Sequence, residues 1–432
     1  MAFLYNLALR TGFLLLTPRF LYDAATKGKY AAGFSQRLGF VPEFKPAGQT
    51  VVLLHCVSVG EANAALPLAN ALRQRFPDVG LVVSTTTNTG QKVASEVYSG
   101  IADLVVYFPF DFPGSVRRFL QRIAPDVVLL TETELWYNFI RSASQTGSRI
   151  AIVNGRLSER SRGRYARVRR FMSRLFSYVD LALMQSQGDA ERILSLSIDD
   201  DKVRITGNLK YDLQTGTVDA RLTEEFRSRF GLAGDTPLIL AASTHDPEEK
   251  LLLDAFRKVR GTSSAPARLM IAPRHPERFA TVAKAVEASG YRSARRSHDP
   301  ADGDRSADVI LLDSIGELRS AYPLADIVFV GGSLIPHGGQ SIFEPAAAAK
   351  AIVTGPYTAN FNAVVSEFIS RDALVQLQSA DAASLTAVFA DLLRDTSRRT
   401  ALGANALAVI EANRGAVDKT LEQLAPLLSP RR

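Results

Sequence analysis

From Val51 onward, short apolar runs of strand length alternate with stretches of helical periodicity, and that alternation leaves few folds open other than parallel α/β. Runs beginning near Val51, Leu81, Leu104, Val127, Ile150, Leu181 and Val203 predict strands. Segments between them, such as Ala64 to Phe76 and Pro113 to Ile123, carry apolar residues at helical spacing. A polar stretch from Gln214 to Arg229 interrupts the pattern, which then resumes near Pro237, Leu269, Val309, Ile327 and Ile352. At 432 residues the chain exceeds what one core organises, so two halves of about 200 residues each are expected. The reading is two Rossmann-like domains facing across a cleft, with ligands outside the carboxyl ends of the strands. It divides the chain into an N-terminal membrane-associating segment (1–35), an N-terminal domain (36–213), a C-terminal domain (214–400) and a long amphipathic helix packing across the junction (401–432).

The first twenty residues are rich in Phe and Leu but are broken by Arg10 and by Pro18-Arg19. About 20 uninterrupted apolar residues are needed to span a bilayer, so a helix lying in the interface or a short anchor is favoured over a spanning helix. A hairpin packed on the domain is the alternative. The formal charge of +7 is concentrated at Arg156, Arg160, Arg162, Arg164, Arg167, Arg169, Arg170 and Arg174. Only Tyr165 and Phe171 interleave this cluster, which argues against nucleic acid and for an anionic lipid surface; a solvated helix face is the competing reading. The single cysteine, Cys56, sits inside an apolar run and reads as a small core residue.

Polar motifs follow the predicted strands: Ser58-Val59-Gly60-Glu61, Glu132-Thr133-Glu134, Gly207-Asn208-Leu209-Lys210, Pro273-Arg274-His275 and Gly331-Gly332-Ser333. Glu61 stands at a helix start, where Gly60 permits close approach; it suits a general base, and equally a carboxylate favoured by the helix dipole. Of Glu132 and Glu134 only one points into the cleft if strand geometry continues, and Glu132 is chosen; a cap before Leu135-Trp136 is its other reading. Lys210 and Arg274 are long cations that could meet an anionic donor. The backbone N–H groups around Gly332 and Ser333 could receive an anion. Asp199-Asp200-Asp201 has an Asp-x-Asp spacing but reads as a solvated turn, and no metal or cofactor is expected.

At these motifs, together with His55-Cys56-Val57, Leu135-Trp136, Asn154 to Ser161, Pro276-Glu277-Arg278 and Glu344-Pro345-Ala346, the sequence resembles the 3-deoxy-D-manno-octulosonic acid (Kdo) transferase family almost end to end. The resemblance implies a GT-B fold and an inverting, metal-independent transfer of Kdo from CMP-Kdo to a lipid A precursor. It also implies a monotopic enzyme on the cytoplasmic face of a Gram-negative inner membrane. Carried over by motif, Glu61 is the proton acceptor, and Glu132 and Lys210 assist the transition state. Ser58, Gly60, Gly332 and Ser333 line the substrates, and CMP is held by Pro273, Arg274, Gly316, Glu317, Leu318 and the stretch Ser341, Ile342, Phe343 and Glu344, with Glu344 on the ribose. The chain departs from the family pattern at Gln340 and Ser341, where His and Asn are usual, and at Tyr137, where Pro is usual. Another sugar-nucleotide enzyme of the same fold, a UDP-sugar transferase or UDP-N-acetylglucosamine epimerase, is the alternative.

Overall fold

The computed structural model describes residues 2–27, 33–46, 49–214, 218–232, 236–262 and 267–429. Two compact units are present, Met1–Leu213 with Asn413–Arg432, and Gln214–Ala412. The first holds a parallel sheet of β1 (Val51–Cys56), β2 (Gly80–Thr85), β3 (Leu104–Tyr107), β4 (Val127–Thr131), β5 (Arg149–Gly155), β6 (Leu181–Met184) and β7 (Val203–Ile205), in the order β3-β2-β1-β4-β5-β6-β7. Strands covered by helices on both faces must be apolar throughout, and β1, β2 and β4 are buried at every residue. The winding reverses between β1 and β4, so their carboxyl ends border the crevice where such sheets bind ligands.

The second unit repeats the plan with β8 (Leu238–Thr244), β9 (Arg268–Pro273), β10 (Ser293–Arg295), β11 (Val309–Leu311), β12 (Ile327–Val330), β13 (Ala351–Thr354) and β14 (Val375–Gln376), in the order β10-β11-β9-β8-β12-β13-β14. Here the winding reverses between β8 and β12. A Cβ at Gly331, just past β12, would lie 2.4 Å from the Ser243 carbonyl oxygen, so only glycine lets the two strand ends approach this closely. The twelve runs expected from sequence are all strands. Two edge strands, β10 and β14, were not anticipated, because three- and two-residue strands carry no apolar run.

The expected long helix over 401–428 is two helices, Thr396–Asn413 and Ala416–Leu428. Gly415, at φ +80°, breaks the run, and Asp212 accepts hydrogen bonds from the Gly415 and Val417 amides at 2.9 and 2.7 Å. Leu421, Leu424 and Leu428 of the last helix join the core of the first unit with Leu54 and Leu72. Position 400 falls inside the helix Thr396–Asn413.

The N-terminal segment forms the helix Ala2–Lys27. Tyr5 donates to Asp111 at 2.7 Å, and Phe13 packs edge-on against Phe112. Phe3, Leu7, Leu14 and Leu15 stay 51% or more exposed. Among the described residues no helix is long and apolar enough to cross a membrane.

Candidate active site

In the first unit the site is built where β1 and β4 end. Ser58 caps the helix Val59–Arg75, accepting from the Glu61 amide. This places Glu61 in the first helical turn, and its side chain folds back over the strand end. The Val57 amide and the Thr131 hydroxyl each lie 2.8 Å from Oε2, and the Ser58 hydroxyl lies 3.0 Å from Oε1. Glu61 is buried in this polar nest. Burial pushes its carboxyl above the ordinary range, the Val57 amide and Thr131 hydroxyl pull it back, and the charge of Glu132 pushes it up again. Nothing in the fold requires glycine at position 60, since a Cβ there would meet only the Ser58 Oγ, at 3.9 Å.

The expectation that only one of Glu132 and Glu134 reaches the site assumed that strand geometry continues, and it does not. β4 ends at Thr131 and Glu132 adopts φ +55°, its amide donating to the Val153 carbonyl at 3.0 Å. The charge of Glu132 acts on Glu61, and the charges of Glu61 and Glu132 both act on Glu134. Burial, then the charges of Glu61 and Glu132, raise Glu134 to about 7. Glu134 is thus the carboxyl placed to hold a proton near neutral pH.

Lys210 follows β7 in the short helix Leu209–Gln214. Asn154, itself at φ +53°, accepts from the Leu209 amide at 3.0 Å, and Asn208 accepts from the Lys210 amide at 3.0 Å. His55 and Cys56 are core: both are fully buried, the imidazole stacks 3.8 Å from Phe108 with its pKa pushed down to about 3, and burial pushes the thiol up.

In the second unit Pro273 closes β9 and delivers Arg274 to the surface, its amide donating to the Thr244 carbonyl at 3.0 Å. Gly316, at φ +84°, and Glu317 lead into the helix Leu318–Ala321. Glu317 is held at both oxygens by Arg296, at 2.8 and 2.9 Å. Glu344, in the helix Phe343–Ala347, receives Arg319 on Oε1 at 2.8 Å. Ile342 and Phe343 are buried, and Ser341 is half-buried before that helix.

The backbone donors expected to receive a ligand anion at Gly332 and Ser333 are already taken. Glu248, fully buried, accepts from the amides of His245 and Gly332 at 2.9 and 2.7 Å on Oε2, and from Ser333 and Leu334 at 3.0 and 2.9 Å on Oε1. Ser333 is fully buried too, its hydroxyl donating to Val330 and accepting from the Gly355 amide. The turn does cradle an anion, and that anion is a side chain of the same unit. Sequence reading passed over Glu248, although His245-Asp246-Pro247-Glu248 follows β8 as the other motifs follow their strands. It also passed over an imidazole cluster: His245 lies 4.4 Å from His337 and 5.3 Å from His275 between ring centres, three residues from three loops.

Asp199 of the Asp-x-Asp spacing pairs with Lys202 at 3.1 Å in a surface turn.

Residues 32–213 match the family model described as 3-deoxy-D-manno-octulosonic-acid transferase (kdotransferase). A 3-deoxy-D-manno-octulosonic acid transferase of Haemophilus influenzae is 33% identical over 93% of this chain and 92% of its own length. One from Bordetella pertussis is 32% identical over 86% of both chains. The fold is shared with the UDP-GlcNAc 2-epimerase of Neisseria meningitidis bound to UDP-GlcNAc, at TM-score 0.52 and 16% identity, over 86% of this chain and all of that one. A glycosyltransferase from Rickettsia africae gives TM-score 0.51 at 13% identity, over 89% and 100%. With a motif set that runs from Glu61 to Glu344 and relatives matched along nearly their whole length, the chain belongs to the 3-deoxy-D-manno-octulosonic acid transferase family of glycosyltransferases.

Proposed function

We propose that this Kdo transferase takes Kdo from CMP-Kdo and adds it to a hydroxyl of a lipid A precursor at an anionic membrane surface, on the cytoplasmic face of the inner membrane. In the proposed step the acceptor oxygen attacks the anomeric carbon of Kdo, its proton passes to Glu61, and the bond to the CMP phosphate breaks with inversion. Lys210 and Arg274 offset the charge that accumulates on the leaving phosphate, and Glu132 supports the cationic character of the sugar. Pro273, Gly316, Glu317, Leu318, Ser341 and Glu344 hold CMP. No metal ion takes part, so a chelator leaves the rate unchanged.

The observation that carries this reading is the nest around Glu61: a buried carboxylate with its pKa raised by burial, held by three donors at the end of β1. A base is helped by a pKa raised towards working pH and by a fixed orientation; burial supplies the direction of the first and the three donors supply the second. Membrane attachment is supported by the apolar residues left bare on the helix Ala2–Lys27 and by the arginines beside it. Phe171, next to Arg169 and Arg170, stacks on Tyr5 of that helix at 5.7 Å.

The test is product analysis by mass spectrometry after incubation with CMP-Kdo and the lipid A precursor. Wild type adds Kdo; Glu61→Gln, with an unchanged melting profile, loses about 100-fold or more in kcat. Full activity in that variant removes Glu61 from the mechanism. Stabilisation by UDP but not by CMP would favour the enzymes that share only the fold.

A further inference from the structure

The first unit contains a cavity of about 650 Å³ that the proposed chemistry does not use. Its wall is formed by Leu9 and Phe13 of the N-terminal helix, Phe108, Phe110 and Phe112 past β3, and Trp136. Thr86 to Thr89 also line it, and the two charged groups of the lining are paired within the protein. Asp111 accepts from the amides of Asn138 and Phe139 and from the Tyr5 hydroxyl, and Arg37 donates to the Thr86 carbonyl at 2.7 Å. What remains is a mainly apolar volume in the range of ligand sites, with an aromatic wall and the polar run Thr86 to Thr89 on one side.

Two further observations say what fills it. Leu9 and Phe13 lie four residues apart on one side of the helix, while Phe3, Leu7 and Leu14, exposed at 76%, 51% and 71%, lie at helical spacing on another. The helix is apolar both towards the cavity and towards the outside, which suits a wall shared with lipid. Trp136 stands two residues after Glu134, so the cavity adjoins the turn that carries the carboxylates.

We propose that this cavity receives an acyl chain of the acceptor lipid, drawn from the bilayer along the N-terminal helix, and so anchors the acceptor with its sugar beside Glu61 and Glu132. The inference rests on the proposed function for the identity of the acceptor.

Trp136 is the single tryptophan of the chain, so its emission reports on the cavity directly. 9,10-Dibromostearate, which quenches tryptophan on contact, is titrated into the full-length protein beside unbrominated stearate. Quenching by the brominated acid alone is expected. Leu9→Glu, which puts a charge in the cavity wall, weakens it about tenfold, while Leu7→Glu on the bare side of the helix leaves it intact. In the transfer assay Leu9→Glu raises KM for the acylated acceptor about tenfold relative to KM for the fully deacylated one. No quenching in wild type, equal quenching in Leu9→Glu, or loss of quenching in Leu7→Glu would each overturn the site. A KM ratio unchanged in Leu9→Glu would overturn the acceptor as the source of the chain. Quenching intact without transfer of Kdo by wild type to either acceptor would instead bring down the proposed function, and with it that source.

Discussion

The Thr131 hydroxyl lies 2.8 Å from Glu61 Oε2 and also 2.8 Å from the His55 carbonyl oxygen, so one hydrogen serves two acceptors. A carbonyl can only accept. When Glu61 is charged, the hydrogen turns to the carboxylate; when Glu61 holds a proton, it donates to Thr131, whose hydrogen turns to His55. Both protonation states of the base are therefore satisfied without backbone movement.

Thr131→Val removes a donor from charged Glu61 and leaves the burial that raises its pKa. A base works only when ionised, so activity falls as pH drops through this pKa. The variant should move the acid limb of the kcat/KM profile upward by about one pH unit, the worth of one hydrogen bond to a charged group. An unmoved limb in the pH–rate profile would show that Thr131 does not tune the base.

Glu134→Gln should remove a titration and leave Glu61 where it is. Burial and the charges of Glu61 and Glu132 raise Glu134 to about 7, so below that pH the variant exchanges a neutral acid for a neutral amide. The step near pH 7 disappears from the pH–rate profile and the acid limb set by Glu61 stays in place. A step near pH 7 that persists in the variant would contradict the assignment.

Glu248→Ala leaves four buried amides without their acceptor. A loss of roughly 3–5 kcal/mol is expected, since a buried donor left unpaired costs about 1–3 kcal/mol and part of the turn can relax. Glu248→Gln, which keeps one oxygen, should fall between. Denaturant unfolding followed by circular dichroism checks this, and a midpoint equal to wild type in the alanine variant would count against the pinned turn.

Asp111 gives a pH signature of its own. Burial raises its carboxyl to about 6 although three donors hold it. Because the folded value lies above the unfolded one, its contribution to stability is complete below about pH 4 and is lost as pH rises through 6, at most roughly 3 kcal/mol. Asp111→Asn should therefore flatten the fall in stability between pH 4 and 6.5 relative to wild type. Melting temperatures taken across that window decide it, and parallel slopes would refute the assignment.

Much of this molecule was legible in the chain. Apolar runs such as Val51–Cys56 and Val127–Thr131 read as strands covered on both faces, because they are too short for a buried helix, rich in β-branched residues and separated by amphipathic stretches. Motifs that follow such runs must stand at strand ends, which is why Glu61, Glu132 and Arg274 could be singled out. Where reading failed, the cause was a contact between residues distant in sequence. Gly332 and Ser333 resemble an open anion cradle until Glu248, more than eighty positions earlier, is seen to fill it.

Local pattern thus determined the two α/β halves, the strand ends and the residue types placed there, because periodicity and apolar run length are properties of neighbouring residues. Only the tertiary structure decided which carboxylates share a field, how Glu132 turns at φ +55°, and that Leu9 and Phe13 roof a cavity with Trp136. Burial and long-range pairing set those outcomes, and neither exists until the chain has packed.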